Sequence, residues 1–221
     1  MMISPETYYE FEVKGKATEE IKKEIQELKK QISDLKYRME DPEYKPEMIC
    51  PSDDAVIYWT REYLTMAKKA LIEAGGIYEE TDEDRRAAAF LENLPFLVKL
   101  EFYYGGYGPV YPKIINCDSE ELRWNDGQTP FMQPFSRVPR SRSELLERIC
   151  ELHLEEWQSE YWPDKYGICV LDGVQWVLKL EYDNGHEPWI IFGSNAYPYN
   201  FRELLDLLGE YNRLDAEYCV N

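Results

Sequence analysis

Residues 168–192 constrain the fold most strongly, because they contain three β-type runs joined by two turn-forming dipeptides. The dipeptides are Asp172-Gly173 and Asn184-Gly185. Both favour two-residue type I′ turns, since Asn, Asp and Gly accept positive φ at low cost. Between the turns, apolar and polar side chains alternate with the period of a strand that buries one face. The stretch therefore predicts a three-stranded antiparallel meander.

The turn at residues 184–185 also predicts how its two strands pair. A two-residue turn places Leu180 opposite Trp189 and Leu178 opposite Ile191. All four side chains are apolar, so this register brings apolar partners together on one face of the sheet.

A helix is predicted directly after the meander. Asn200 is in position to cap this helix, and Glu203 is in position to complete a capping box. The apolar stripe of the helix consists of Phe201, Leu204, Leu205 and Leu208. We expect the C-terminal third of the chain to be a meander covered by one helix.

Residues 1–76 are predicted to form an antiparallel helical hairpin. Between residues 18 and 40, apolar positions recur at alternating spacings of four and three, which is an a/d seam. The seam consists of Ile21, Ile25, Leu28, Ile32, Leu35 and Met39. A second helix, from 53 to 74 and capped by Ser52, can cover this seam. Two such helices bury little surface alone, so the hairpin either docks on the rest of the chain or forms a homo-oligomer through residues 18–74.

Residues 77–221 are predicted to form an α+β domain with a mostly antiparallel sheet covered by two helices. Thr81 can cap a short helix, and short strands are expected at 110–115 and 121–124. An alternating run before them predicts a strand whose apolar face consists of Phe96, Val98, Leu100 and Phe102. Ser141 and Glu144 form a capping box for a helix. That helix is expected to carry Leu145, Ile149, Leu152 and Trp157.

The charge balance restricts the class of partner. The chain has 43 acidic and 25 basic residues, a net charge of −18, and residues 1–80, 81–160 and 161–221 carry −6 each. Negative charge spread in this way repels nucleic acid and anionic lipid and favours a basic protein partner. We therefore expect no direct nucleic-acid binding and no membrane association.

The cysteines and the N-terminal sequence indicate a location. The five cysteines are widely spaced and form no C-x-x-C pair, which favours neither a disulfide framework nor a zinc site. The N-terminal residues show neither a basic region followed by an apolar region, as in a signal peptide, nor an apolar span of about 20 residues. A reducing, cytoplasmic environment is the resulting expectation.

Motifs for catalysis and cofactor binding are weak. His153 and Glu156 have the i, i+3 spacing of helical metal ligands, but the other histidine, His186, lies beside a hairpin turn. His153 is more simply a helix-surface or core-edge residue. Nucleophile and phosphate-loop motifs are absent from the sequence. We expect no catalytic residue, no metal and no cofactor; an enzyme with a carboxylate or metal site near His153 is the alternative.

Aromatic residues beside carboxylates indicate a protein-recognition surface, because Tyr and Trp bring contact area at small entropic cost. The alternative for most of these aromatic residues is that they cover a small core. The residues predicted to bind a partner are Glu79, Glu80, Asp82, Glu83, Asp84, Tyr103, Tyr104, Tyr107, Glu155, Glu156, Tyr161 and Trp162.

Three segments carry a resemblance to a known group. They are YYEFEVKGKATEEIKKEIQELKKQISDLKYRMEDPEY, TREYLTMAKKALIEAGG and LDGVQWVLKLEYDNGHEPWIIFGSNAYPYNFRELLDLLG. These segments are similar to uncharacterised acidic proteins of gut anaerobic bacteria and their mobile elements. Small acidic proteins of such elements often resemble anti-defence inhibitors, including anti-CRISPR proteins that occupy nucleic-acid channels.

The resemblance and the charge together predict a non-enzymatic inhibitor. Such a protein would block the nucleic-acid groove of a basic effector, for example a CRISPR nuclease. An oligomeric accessory protein is the alternative from the binding class.

Overall fold

The computed structural model describes residues 3–46, 50–106, 112–124, 138–170 and 172–210. The chain divides into two compact units, Met1–Glu80 and Thr81–Asn221. Unit 1 is helical, whereas unit 2 contains a sheet with helices, so the protein is α+β as the sequence predicts.

Unit 1 contains three helices among its described residues. Ser4 caps the first, since its Oγ accepts a hydrogen bond from the Thr7 amide at 3.2 Å. A single π-helical stretch, Tyr9–Val13, continues the first helix. The helices are α1 (Pro5–Tyr8), α2 (Thr18–Met39) and α3 (Asp53–Glu73). The predicted helices at 18–40 and 53–74 are thereby confirmed.

The apolar seam of α2 is buried within the chain. Helix α2 packs along α3, where Ala67 and Ala70 allow close approach. Tyr8 and Val13 join the same core, and the Tyr8 ring stacks on Tyr63 at 4.4 Å. The buried seam residues are Ile21, Ile25, Leu28, Ile32 and Leu35. Burial of each such side chain contributes about 1.5–3 kcal/mol relative to exposure, so the hairpin and the N-terminal segment stabilise one another.

Unit 2 is organised around a six-stranded sheet with the order β3-β2-β1-β5-β6-β4. Every neighbouring pair is antiparallel except β4 and β6, which are parallel. The strands are β1 (Leu97–Gly105), β2 (Lys113–Asn116), β3 (Arg123–Trp124), β4 (Glu160–Tyr161), β5 (Gln175–Tyr182) and β6 (Trp189–Ser194). The helices are α4 (Asp82–Asn93), α5 (Arg142–Glu151) and α6 (Phe201–Leu208).

The predicted pairing of β5 and β6 is confirmed. Leu180 lies opposite Trp189, and Leu178 lies opposite Ile191. The predicted turn type is wrong, however, because Gly185 has a φ of +80° while Asn184 does not have a positive φ. A type I′ turn needs positive φ at both central positions.

The prediction of a three-stranded meander at residues 168–192 is also wrong. Residues 168–170 form no strand, and β5 pairs on its other side with β1. The Asp-Gly dipeptide does not form the predicted hairpin turn. Its glycine instead allows the Asn195 side chain to lie close to the backbone. A Cβ atom on Gly173 would lie 1.8 Å from Oδ1 of Asn195, the atom that accepts the Val174 amide at 2.9 Å.

The predicted apolar face of β1 is wrong at its first two positions. Leu97 is fully buried, whereas Phe96 precedes the strand and is 46% exposed. The pairing of β1 with β5 shifts register between Leu97 and Lys99. This irregularity moves the alternation by one residue, so Val98 is not a core residue while Leu100 and Phe102 are.

One face of the sheet packs against α4, α5 and α6. Phe201 of α6 contacts Trp176 at a ring-centroid distance of 4.7 Å, and Phe90 of α4 contacts Trp189 at 4.9 Å. Helix α5 contributes Leu145 and Ile149 to the same buried cluster. Two of the predicted caps are confirmed, because Thr81 begins α4 and Ser141 begins α5.

Two details near this core differ from the sequence predictions. Asn200 occupies the cap position of α6, but its side chain makes no capping bond. It donates instead to the Leu152 carbonyl at 2.8 Å and accepts from Nε1 of Trp157 at 2.9 Å. Helix α5 ends at Glu151, so Trp157 is a core residue outside the helix that was predicted to carry it.

Candidate partner-binding surface

The acidic run at residues 79–84 lies where the two units divide. Glu79 and Glu80 belong to unit 1, have no regular secondary structure and are exposed. Asp82, Glu83 and Asp84 form the first turn of α4, where carboxylates are favourable because of the helix dipole.

Two of the carboxylates in this turn have local roles. Asp84 accepts hydrogen bonds from the backbone N and the hydroxyl of Thr81, which completes a capping box. Asp82 pairs with Arg85. Glu83 is exposed, as is Asp82.

The tyrosines of β1 point to opposite faces of the sheet. Tyr104 is buried, and its ring lies 6.1 Å from the rings of both Phe102 and Phe201. Tyr103 is half-buried on the face that the helices do not cover, opposite Val177 of β5. Tyr107 lies outside the described residues. Tyr103 is therefore the one described tyrosine of this hairpin that can present its ring to a partner.

The aromatic residues at β4 divide in the same way. Tyr161 is buried and its hydroxyl accepts the Gln158 amide at 3.0 Å, so its side chain belongs to the core. Trp162 is 43% exposed. Its ring packs edge-on against Phe192 at 4.8 Å, and its Nε1 donates to Glu160 at 3.0 Å.

Tyr103 and Trp162 are brought to one surface by the strand register. Tyr103 pairs with Val177, and Val177 pairs with Phe192 of β6, against which Trp162 packs. Side chains at paired positions share a face, so these residues form an apolar row across the sheet. Ile190, two residues before Phe192, is 50% exposed on the same face. We call this surface the outer sheet face: Tyr103, Val177, Phe192, Trp162 and Ile190.

Two lysines and two glutamates lie next to the apolar row and form ion pairs with one another. Nζ of Lys99 is 3.1 Å from Glu101 and 3.6 Å from Glu181, and Nζ of Lys179 is 2.6 Å from Glu181. The hydrogen bond from Lys179, followed by the charge of Lys99, lowers the pKa of Glu181. The hydrogen bond to Glu101 raises the pKa of Lys99. These two lysines and two glutamates give the apolar row a polar border.

Sequence reasoning missed the aliphatic part of the outer sheet face. Val177 alternates with core residues of β5, so the pattern assigns it to the solvent side, where a single apolar residue is unremarkable. Its importance depends on having Tyr103 and Phe192 as cross-strand neighbours. The one available signal was the β5–β6 register, which the Asn-Gly turn had already predicted.

The last two predicted residues, Glu155 and Glu156, lie in a separate place. Helix α5 ends before them, and His153 adopts a left-handed conformation with φ 50° and ψ 47°. Of the two positions expected for His153, a helix surface or the edge of the core, the helix surface is therefore wrong. Nδ1 of His153 is 2.9 Å from Oε1 of Glu155. The Glu155 side chain is only 9% exposed, so it offers little surface to a protein partner.

The turn that holds these residues is also negatively charged. Burial, followed by the carboxylates of Glu155 and Glu151, raises the pKa of the Cys150 thiol. One candidate metal-ligand cluster occurs among the described residues, with one ligand atom each from His153, Glu155 and Glu156 within 4.8 Å of one another.

Comparison with protein-family models, with curated proteins and with solved structures finds no match to this chain. Within the described ranges, none of the helices has both the length and the apolar character needed to cross a membrane.

Proposed function

We propose that the chain is a non-enzymatic, acidic binding protein that docks its outer sheet face on a basic protein. The observation that carries this proposal is an apolar row, partly exposed and bordered by charged groups, on a chain of net charge −18. An apolar centre with a polar border is the usual anatomy of a protein–protein interface.

The outer sheet face supplies the contact area of the proposed interface. Trp162 and Tyr103 are of the residue types that most often dominate binding energy, because their rings bury much surface and lose little rotamer freedom. Trp162 is also held in place before binding, by its contacts with Phe192 and Glu160. A side chain ordered in advance loses less entropy when the complex forms.

The net charge supports a basic partner. Unit 1 has 18 acidic and 12 basic residues, and unit 2 has 25 acidic and 13 basic residues. A field of this sign attracts a cationic surface and accelerates encounter at low ionic strength. Basic protein grooves are commonly sites for nucleic acid, whose phosphate charges an acidic protein can replace.

The most specific form of the proposal is an anti-defence inhibitor. The chain would occupy the nucleic-acid groove of a cytoplasmic effector, such as a CRISPR nuclease, and thereby prevent the nucleic acid from binding. Carboxylates such as Glu79, Glu80 and Glu83 are exposed and add to the negative charge that would attract a basic partner.

Binding to a panel of purified CRISPR effector nucleases, measured by surface plasmon resonance at several salt concentrations, tests the proposal. We expect at least one effector to bind at physiological salt, with an affinity that falls by about tenfold or more between about 50 and 200 mM salt. The proposal fails if no member of the panel binds.

Matched variants distinguish binding through the outer sheet face from attraction by net charge alone. Ile190→Ser and Ile72→Ser each remove one exposed isoleucine, but Ile72 lies in unit 1 and is 67% exposed. We expect Ile190→Ser and Trp162→Ala to weaken binding by about tenfold each and Ile72→Ser to leave it within about twofold. Equal effects of the two isoleucine variants would rule out the outer sheet face as the interface.

A further inference from the structure

The turn after α5 brings together three potential metal ligands that the proposed binding role does not use. The His153 amide donates to the Cys150 carbonyl at 3.0 Å, and a 3-10 turn, Leu154–Glu156, follows. In this arrangement His153, Glu155 and Glu156 each offer one ligand atom, and the three atoms lie within 4.8 Å of one another. The sequence had suggested only His153 and Glu156, as neighbours on a helix, whereas the turn adds Glu155.

The environment of Glu155 points independently to a bound cation. Oε1 of Glu155 contacts Nδ1 of His153, but Oε2 is enclosed and accepts no hydrogen bond from any described residue. The whole side chain is 9% exposed, so water does not solvate it freely. Leaving a carboxylate oxygen buried and unpaired is costly, and buried carboxylates are normally paired or bound to metal.

The backbone holds the ligands in place from both sides. Asn200 donates to the Leu152 carbonyl at 2.8 Å, and Nη1 of Arg86 donates to the Trp157 carbonyl at 2.8 Å. Leu154, in the middle of the turn, is fully buried. A site whose ligands are positioned by the fold binds an ion with less loss of conformational entropy.

The donor set selects the kind of ion. Imidazole nitrogen suits zinc and other transition metals, whereas magnesium and calcium prefer oxygen alone. Two ligand atoms bound at about 2.0–2.2 Å to one tetrahedral ion lie about 3.3–3.6 Å apart. Nδ1 of His153 and Oε1 of Glu155, now hydrogen-bonded at 2.9 Å, therefore need to separate by only about 0.5 Å for both to bind one ion. The His153 side chain is 35% exposed, which gives an ion access from solvent.

We propose that His153, Glu155 and Glu156 bind one divalent transition-metal ion, of which zinc is the representative. Three protein ligands leave coordination positions for water or for a group from another molecule. This site is separate from the outer sheet face, and the proposal does not depend on the identity of the protein partner.

Isothermal titration calorimetry with zinc chloride, on chain purified without a histidine tag and treated with a chelator, tests the site. The test variants are His153→Asn, Glu155→Gln and Glu156→Gln; Asn tolerates the left-handed conformation of residue 153, and Gln preserves side-chain size. The matched controls are His186→Asn and Glu187→Gln, which change the same residue types at an exposed turn. Magnesium chloride is the metal control.

We expect one zinc ion per chain. Each of the three test variants should weaken zinc binding by about tenfold or more, while both controls stay within about twofold of the unmodified chain. Magnesium should bind at least tenfold more weakly than zinc at this site. Absence of stoichiometric zinc binding would show that His153 and Glu155 form an ion pair only, and would overturn the proposal.

If circular dichroism shows that the test variants do not fold, a second measurement on the unmodified chain tests the site. Cobalt added to the unmodified chain should shift the ring signals of His153, and leave those of His186 unchanged, in nuclear magnetic resonance spectra. Equal shifts at both histidines, or a shift at His186 alone, would overturn the proposed site.

Discussion

Asn200 links α6 to the turn after α5, and its removal should destabilise unit 2. The buried amide donates to the Leu152 carbonyl and accepts from Nε1 of Trp157. In Asn200→Ala both partners stay buried and lose their hydrogen bond to residue 200, because Ala cannot replace either bond. The predicted loss is therefore one of hydrogen-bond pairing and does not depend on helix capping.

The magnitude follows from the two partners. A buried donor or acceptor left unpaired costs about 1–3 kcal/mol, so two such groups reduce the free energy of unfolding by about 2–6 kcal/mol. Asn116→Ala is the matched control, since its amide makes a long, exposed contact of 3.4 Å with the Arg123 carbonyl. That variant should change the free energy of unfolding by less than about 0.5 kcal/mol.

Urea unfolding followed by tryptophan fluorescence measures both variants. Five of the six tryptophans lie in unit 2, so the signal reports mainly on that unit. The reasoning is refuted if Asn200→Ala and Asn116→Ala lose the same stability within about 0.5 kcal/mol.

Asn200→Asp adds a pH dependence with a defined sign. Its carboxylate can still accept the hydrogen bond from Nε1 of Trp157. At the Leu152 carbonyl, however, a carboxylate oxygen replaces the amide NH2 that donated, so two acceptors face each other without a proton between them. Burial should raise the pKa of this carboxyl above the unfolded value of about 3.9. The deficit relative to the unmodified chain should thus be largest at neutral pH and should shrink as the pH falls towards that value.

Two further predictions concern the buried thiol of Cys117 and the apolar seam of α2. Burial raises the pKa of the Cys117 thiol to about 11. The contribution of this thiol to the free energy of unfolding is fully present below the unfolded pKa of about 8.5 and is lost as the pH rises towards 11. The difference in stability between the unmodified chain and Cys117→Ala should therefore change across that range, and a constant difference would contradict it. Ile25→Asn should destabilise unit 1 by about 2–5 kcal/mol at every protein concentration, because the seam is buried within the unit. A loss that depends on protein concentration, measured by circular dichroism and light scattering, would instead indicate an oligomer.

Local patterns predicted the elements whose causes are local. The four-three spacing of the α2 seam, the Ser52 and Thr81 caps and the Asn-Gly connection each depend on residues close in sequence. For that reason the helices of unit 1 and the β5–β6 register could be predicted from the sequence.

Elements that depend on distant residues could not be predicted. Strand β5 pairs with β1, which lies about 80 residues earlier, and the register shift at Leu97 decides which tyrosine of β1 is buried. The apolar spacing of α5 continues to Leu152, yet the helix ends at Glu151, where Asn200 and Arg86 bind the following turn. No periodicity in the sequence encodes those bonds.

The candidate sites share this difficulty. Tyr103 and Trp162 could be selected because they are aromatic residues close to carboxylates in the sequence. Their common surface, however, requires Val177 and Phe192 between them. Likewise Glu155 becomes a potential metal ligand only because the turn encloses its carboxylate. In both cases the residue types were visible in the sequence, and the neighbours that give them a role were not.

A competition experiment tests the central claim most directly. A fluorescently labelled nucleic acid is bound to the basic effector identified in the panel, and its anisotropy is measured as the chain is added. The account predicts that the unmodified chain displaces the nucleic acid at about one chain per effector, that Trp162→Ala displaces it about tenfold less well, and that added salt weakens displacement. If chain, effector and nucleic acid form a stable ternary complex, the claim that an acidic protein replaces nucleic acid in a basic groove is contradicted.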